Sequence, residues 1–222
     1  MSEGKRLLLL IHTFLYAIIL ILALKFCDVA VVPRVTKIGL STANFWFRNL
    51  WHYNANTEYS VFRRVFTQIL GYISLAACAF WAGLFFREVI KSGRPDGVGV
   101  DKNLAATFFL YVIAAAVCLL FKLFPVNYSP IAVAGKLKFS ASFPAFHVML
   151  IITAMGSSIF QLWDIFGEKK KLATVLTALC AVFMAAGIFG SMASGVYWLS
   201  DIIGAILISS NLLLLYSFFF YV

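Results

Sequence analysis

The apolar positions of this chain gather into long blocks instead of alternating or recurring on one helical face. Six blocks approach or reach the roughly 20 residues that a helix needs to cross a hydrocarbon core. They run from Leu7 to Leu24, Val65 to Phe86, Leu104 to Leu123, Phe146 to Trp163, Leu172 to Phe189 and Trp198 to Phe220. Backbone N–H and C=O groups in lipid must be bonded within their own segment, so the blocks predict helices. The fold class that follows is all-α: a polytopic membrane helical bundle of about six transmembrane helices, forming a single membrane-embedded domain over 1–222.

The connections differ in character. Lys91 to Gly97 reads as a polar turn, and Glu168 followed by Lys169-Lys170-Lys171 as a short charged link. The first connection is much longer, about 40 residues. Within it Phe45, Trp46, Phe47, Leu50 and Trp51 stand among Asn and Arg. That mixture predicts an amphipathic helix over 40–53 lying in the membrane interface, with Ser41 or Thr42 as its cap. The alternative is an irregular loop packed over the bundle.

Composition strengthens the membrane reading. The chain is 63% apolar and 12% charged, with a mean hydropathy of +0.95. A soluble domain has about 45–50% and 25%. The net charge of +9 would point to nucleic acid in a soluble protein. Here the basic residues flank apolar blocks, where they meet anionic headgroups, so a nucleic acid partner is excluded and a membrane lipid is expected. Cys27, Cys78, Cys118 and Cys180 lie in or beside apolar blocks without CxxC or Cys/His spacing. They read as free thiols, with no disulfide framework, no metal and no cofactor. Lys5 and Arg6 precede the first block as in a signal peptide, but the block closes on Lys25-Phe26-Cys27 without a small-residue cleavage site. It is read as a membrane anchor.

An inside N-terminus places nine of the 18 basic residues inside, and six of the other nine precede the second block. Short loops weigh most in the positive-inside rule, so the Lys169-Lys170-Lys171 cluster favours cytoplasmic termini in the cell membrane.

With antiparallel spans, one membrane face receives the end of the third span, the start of the fourth, the end of the fifth and the start of the sixth. Lys122, His147, Tyr197 and Asp201 thereby meet on one side, which the charge argument makes extracytoplasmic. Asp201 in particular is an ionisable residue in an apolar span, and such a residue is costly unless it has a task or a partner. Structural alternatives stand beside each. His147 at a helix start serves equally well as a bond to a neighbouring carbonyl. Asp201 reads as a structural partner for Tyr197 or Lys122, and Lys122 as a residue snorkelling to headgroups.

These segments resemble the three motifs of the type 2 phosphatidic acid phosphatase (PAP2) superfamily. Lys122, six residues, then Ser129-Pro130 has the spacing of its Lys-x6-Arg-Pro motif. Ser142-Phe143-Pro144-Ala145-Phe146-His147 is similar to Pro-Ser-Gly-His. Gly190-Ser191, five residues, Tyr197, three residues, Asp201 follows Ser-Arg-x5-His-x3-Asp. The resemblance implies a phosphatase fold in which a third-motif His attacks phosphorus, Asp orients it, and a second-motif His protonates the leaving oxygen. It also implies a cradle of Lys, two Arg, Ser and a Gly amide around the phosphate.

Carried over by position, the nucleophile is Tyr197. The two Arg positions are Ser129 and Ser191, and the Ser and Gly positions are Ala145 and Phe146. His147, Asp201, Lys122, Pro130 and Pro144 keep the family residue. Losing two guanidinium groups removes two bidentate donors from a reaction that depends on fixed positive charge. Losing even one such stabiliser commonly costs about 100- to 1000-fold in rate. Lys136 and Lys138 are candidates to restore charge at the pocket mouth, against a solvated loop as the plainer reading. Arg94-Pro95 imitates the first motif but falls on the opposite face.

The leading expectation is therefore a catalytically inactive PAP2-like protein that binds a lipid or polyprenyl phosphate or serves a protein partner. A second is an active lipid phosphatase or phosphotransferase with Tyr197 as nucleophile, Asp201 as its base, His147 as acid and Lys122 with Lys136 or Lys138 as clamp. A third is a lipid or small-solute transporter, which would need a polar pathway.

Overall fold

The computed structural model describes residues 3–32, 35–53, 59–93, 99–130 and 140–220. Six long helices occupy the six apolar blocks: α1 (Glu3–Phe26), α3 (Val61–Ser92), α4 (Lys102–Leu123), α5 (Phe146–Phe166), α6 (Lys170–Ser194) and α7 (Leu199–Phe220). All six are long and apolar enough to cross a membrane. Between α1 and α3 lie a two-stranded antiparallel hairpin, β1 (Ala30–Val32) and β2 (Val35–Ile38), and the short helix α2 (Ser41–Leu50). The hairpin was not foreseen.

Burial separates the spans. In its most apolar stretch α5 is 61% buried, against 11% for α1 and for α6. α5 packs on α3, α4, α6 and α7, and α7 on α1, α4, α5 and α6, so these two helices form the axis of the bundle. Phe14, Phe62, Tyr72, Leu123, Val182 and Phe189 on other helices remain exposed. Such side chains would face water at prohibitive cost, and lipid tails solvate them.

Polar groups inside the bundle bond to each other. Thr107 Oγ1 lies 2.8 Å from the Tyr216 hydroxyl, Gln161 Nε2 donates to Thr107 Oγ1 at 2.6 Å, and Trp81 Nε1 donates to Ser158 Oγ at 2.9 Å. Buried polar atoms in a span are tolerated when satisfied in this way.

The helix ends bear on the site. α3 begins four residues before its apolar block, at Val61, with Ser60 Oγ accepting the Arg63 N–H at 3.3 Å. Arg63 and Arg64 therefore stand in a helical first turn. α6 stops at Gly195, whose φ of 74° is the left-handed geometry that glycine adopts without strain.

α2 is capped differently from expectation. Neither Ser41 nor Thr42 is its cap: the cap position is Leu40, which has no side-chain acceptor. The carboxylate of Asp28 does the work from the end of α1. It accepts the Thr42 N–H at 2.6 Å and the Ser41 hydroxyl at 2.8 Å, and both bonds hold Asp28 below the usual carboxylate pKa. One face of α2 is docked on the bundle. Asn44 and Arg48 are buried, with Asn44 bonded to Ser200 through both its amide atoms and Arg48 to the Gly195 carbonyl. Trp46 and Leu50 on the other face are exposed.

Candidate functional site

One end of the bundle gathers α2, the start of α3, the segments 124–130 and 140–145, and the α6–α7 turn. Its keystone is Trp198, which is fully buried. The indole donates to the Tyr128 carbonyl at 2.7 Å and packs edge-on against Phe45, while Ile38 and the Arg48 guanidinium cover it. The hairpin and α2 are thus tied to the same turn that carries Tyr197 and Asp201.

Asp201 sits in the first turn of α7 with no exposed surface. One oxygen accepts from Asn127 Nδ2 at 3.1 Å and the other from the Trp198 N–H at 3.4 Å. The second bond is the reach-back of a capping residue to the start of its own helix. The backbone takes part too, since the Ala145 N–H donates to the Asp201 carbonyl at 3.0 Å. This corrects the expected pairing. The carboxylate is bonded to Asn127 and Trp198 and not to Tyr197 or Lys122.

Tyr197 turns the other way. Its hydroxyl lies 2.7 Å from His147 Nδ1 in the first turn of α5. His147 therefore bonds a side chain and not a neighbouring carbonyl. The imidazole also lies against α3, where a Cβ on Gly71 would stand 2.7 Å from His147 Cδ2, so the approach requires glycine. Burial, then the negative charge of Asp201, pushes the Tyr197 phenol above its ordinary pKa. The phenol keeps its proton, and the imidazole tautomer sets which of the two groups donates in this bond. The expected pairing of Tyr197 with Asp201 as its base is also corrected: the group in contact with the hydroxyl is His147.

Tyr197 and His147 face a cavity of about 180 Å³, lined further by Arg64, Gln68, Ser129 and Ser142. Arg64 was not singled out in the sequence. Hydropathy starts the second span at Val65 and assigns Arg64 to a loop, whereas the helix starts earlier and turns it to the site. Its positive charge acts on both His147 and Tyr197, and its guanidinium lies 5.4 Å from the centre of the Tyr59 ring.

Ser129 and Ser142 are both buried, and their segments are linked by the Ser129 N–H to the Ser140 carbonyl at 2.9 Å and the Ser142 N–H to the Asn127 carbonyl at 3.0 Å. The Ser142 hydroxyl lies beside the Asp201 carboxyl but makes no hydrogen bond of good geometry. It is a buried polar group on a cavity wall with unused bonding capacity.

The remaining candidates separate. Lys122 is not in the cavity wall; its ammonium lies 5.4 Å over the Phe146 ring. Ser191 is fully buried in α6 and does not line the cavity, and its hydroxyl is unbonded. Lys136 and Lys138 lie outside the described residues, as does Arg94-Pro95. No cluster of His, Cys, Asp and Glu suited to a metal occurs among the described residues.

Comparison with known proteins gives one informative result. No family model and no curated protein matches the chain in sequence. Among solved structures, a transmembrane PAP2-type phosphatidylglycerolphosphate phosphatase from Bacillus subtilis superposes with a TM-score of 0.65. The match covers 95% of this chain and 94% of that one at 13% identity. At that identity the likeness is one of fold. The chain is accordingly a multi-pass membrane protein with the PAP2-like fold that its three degenerate motifs resemble.

Proposed function

We propose that this protein binds the phosphate headgroup of a membrane lipid, or of a polyprenyl phosphate, at the end that carries Tyr197, and does not hydrolyse it. The observation that carries the reading is the state of the nucleophile position. The Tyr197 hydroxyl is engaged by His147 at 2.7 Å, while burial and the Asp201 charge oppose its ionisation. A protonated phenol is a poor nucleophile. Asp201 is occupied in closing α7 onto Asn127, so it is not free to orient an attacking group.

The cavity suits anion binding. Arg64 supplies a fixed positive charge, Ser142 and Gln68 supply donors, and the N-terminus of the 21-residue helix α5 faces the same side. A volume of about 180 Å³ accommodates one phosphate group and little more, so the hydrophobic tail would remain among the spans. The Lys169-Lys170-Lys171 cluster at the other end supports an extracytoplasmic position for this end in the cell membrane.

One contact favours a second reading. A hydroxyl 2.7 Å from an imidazole nitrogen is also the geometry of a nucleophile with its general base. In that case the protein is a phosphotransferase acting through Tyr197, with His147 as base and Arg64 as clamp.

Phosphate release from phosphatidate, phosphatidylglycerol phosphate and undecaprenyl pyrophosphate separates the two. The proposal expects no release by the purified protein above that of Tyr197→Phe. Release that Tyr197→Phe abolishes would establish the second reading. Tyr197→Phe is the better control, because Asp201→Ala removes a structural carboxylate.

A further inference from the structure

The opposite end of the bundle carries a larger and chemically different concavity. A groove of about 890 Å³ opens between α1, α4 and α7. It is remote from the candidate site: Leu212 on its wall lies 11 residues beyond Asp201 along α7, a rise of about 16 Å.

The groove is graded along its length. Arg6, Lys102 and Glu3 stand at its mouth, and the wall continues along α4 through Phe109 and Leu110 to Ile113. From Lys102 to Ile113 is 11 residues, again about 16 Å of helix. That is roughly half of a hydrocarbon core about 30 Å thick. The groove therefore has the depth of one leaflet, with apolar walls and, among the described residues, two cations against one anion at the mouth. Arg6 is held in place there. Its Nη1 donates to the Ser217 carbonyl at 3.0 Å and its guanidinium lies 5.6 Å from the centre of the Phe218 ring. A second cavity shares Arg6 on the other side of α7, but among the described residues no Lys lines it, while the hydroxyl residues Thr13, Ser210 and Ser217 do.

We propose that the α1–α4–α7 groove is a second lipid site, which holds one anionic phospholipid with its phosphate at Arg6 and Lys102 and an acyl chain along Phe109, Leu110 and Ile113. Zwitterionic lipid fits the apolar wall equally well but gains less at the mouth, so charge sets the preference. Free phosphate meets the mouth alone, without the wall. The site is independent of whether the other end binds or turns over a lipid phosphate.

The test uses the full chain carrying Phe109→Trp, in vesicles of phosphatidylcholine with increasing brominated phosphatidylglycerol or brominated phosphatidylcholine. Quenching of the new indole is obtained by subtracting the protein that retains Phe109. With two basic groups and one acidic group at the mouth, half-quenching is expected at about tenfold less phosphatidylglycerol than phosphatidylcholine. Arg6→Gln with Lys102→Gln should bring the two lipids within about twofold. Lys102→Gln alone, which leaves the bonds of Arg6 intact, should remove about half of the preference on a logarithmic scale. Equal quenching by both lipids would overturn the proposal, as would a preference that survives in both variants. Loss of the preference on adding millimolar glycerol phosphate would also overturn it, because an anion site without the acyl wall would then suffice.

Discussion

The two ends of α7 treat buried polarity in opposite ways. At its start, Asp201 is bonded to Asn127 and Trp198, yet the side-chain oxygen Oδ1 of Asn127 finds no partner, the neighbouring Ser142 hydroxyl makes no hydrogen bond of good geometry, and a small cavity opens beside Ser142. Near its end, the Tyr216 hydroxyl meets Thr107 and Gln161, and Gln161 also reaches the Asn103 carbonyl at 2.9 Å. Beside that closed network the open space is large, with apolar walls below a mouth that carries Arg6, Lys102 and Glu3. Unsatisfied polar atoms next to a cavity mark a place where something polar can bind. Satisfied ones next to an apolar groove mark a fastening. The proposed phosphate site at the first end is walled by polar side chains, whereas the proposed lipid groove at the second is polar only at its mouth and apolar along its wall.

The largest effect should come from removing the keystone of the first end. Trp198→Ala would empty the space between Phe45, Ile38 and Arg48, at a cost of roughly 3–5 kcal/mol. The hairpin and α2 should loosen with it, read as faster amide exchange over 35–50, with the spans unchanged. Gln161→Leu should cost less, roughly 1–3 kcal/mol, because it leaves the Thr107 and Tyr216 hydroxyls to each other. Its amide-exchange change should be confined to the other end. If Trp198→Ala and Gln161→Leu affected the same segments, the division into two regions would fail.

Arg64→Ala should weaken binding of a lipid phosphate by about tenfold, the scale of one hydrogen bond to a charged group, with little loss of thermal stability. Binding to the apolar groove should be unaffected. The smallest effect concerns acid. Asp28 is held below its ordinary value of 3.8 by the bonds that cap α2. A depressed carboxylate contributes stability above its unfolded pKa and loses it as pH falls through the folded value. The end carrying α2 should therefore loosen first below about pH 4, and Asp28→Asn should remove that dependence. Tryptophan fluorescence of Trp46 and Trp51 can follow it.

The architecture was largely legible, because membrane spans are written in uninterrupted apolar length and each block became a helix. The convergence of His147, Tyr197 and Asp201 was also legible, since antiparallel spans bring those ends together whatever the side chains do. Pairing was not. Motif spacing puts Asp201 one helical turn from Tyr197, but only the folded segment 124–130 supplies Asn127, which takes the carboxylate instead. Arg64 escaped notice for a related reason. Hydropathy ends a span at the first charged residue, whereas a helix ends where its cap is, here at Ser60. The cap of α2 came from Asp28, 13 residues away from Ser41, a distance that no local capping rule surveys. Lys122 sits where its spacing placed it, at the end of α4, but its side chain turns to Phe146.

The central claim is recognition of a lipid phosphate without turnover at the Tyr197 end. Phosphorus NMR of phosphatidate in protein-containing nanodiscs tests both halves in one sample. The account predicts a second, broadened phosphatidate resonance that Arg64→Ala removes, and no growth of an inorganic phosphate signal over many hours. A phosphate signal that grows with the protein and disappears in Tyr197→Phe would contradict it.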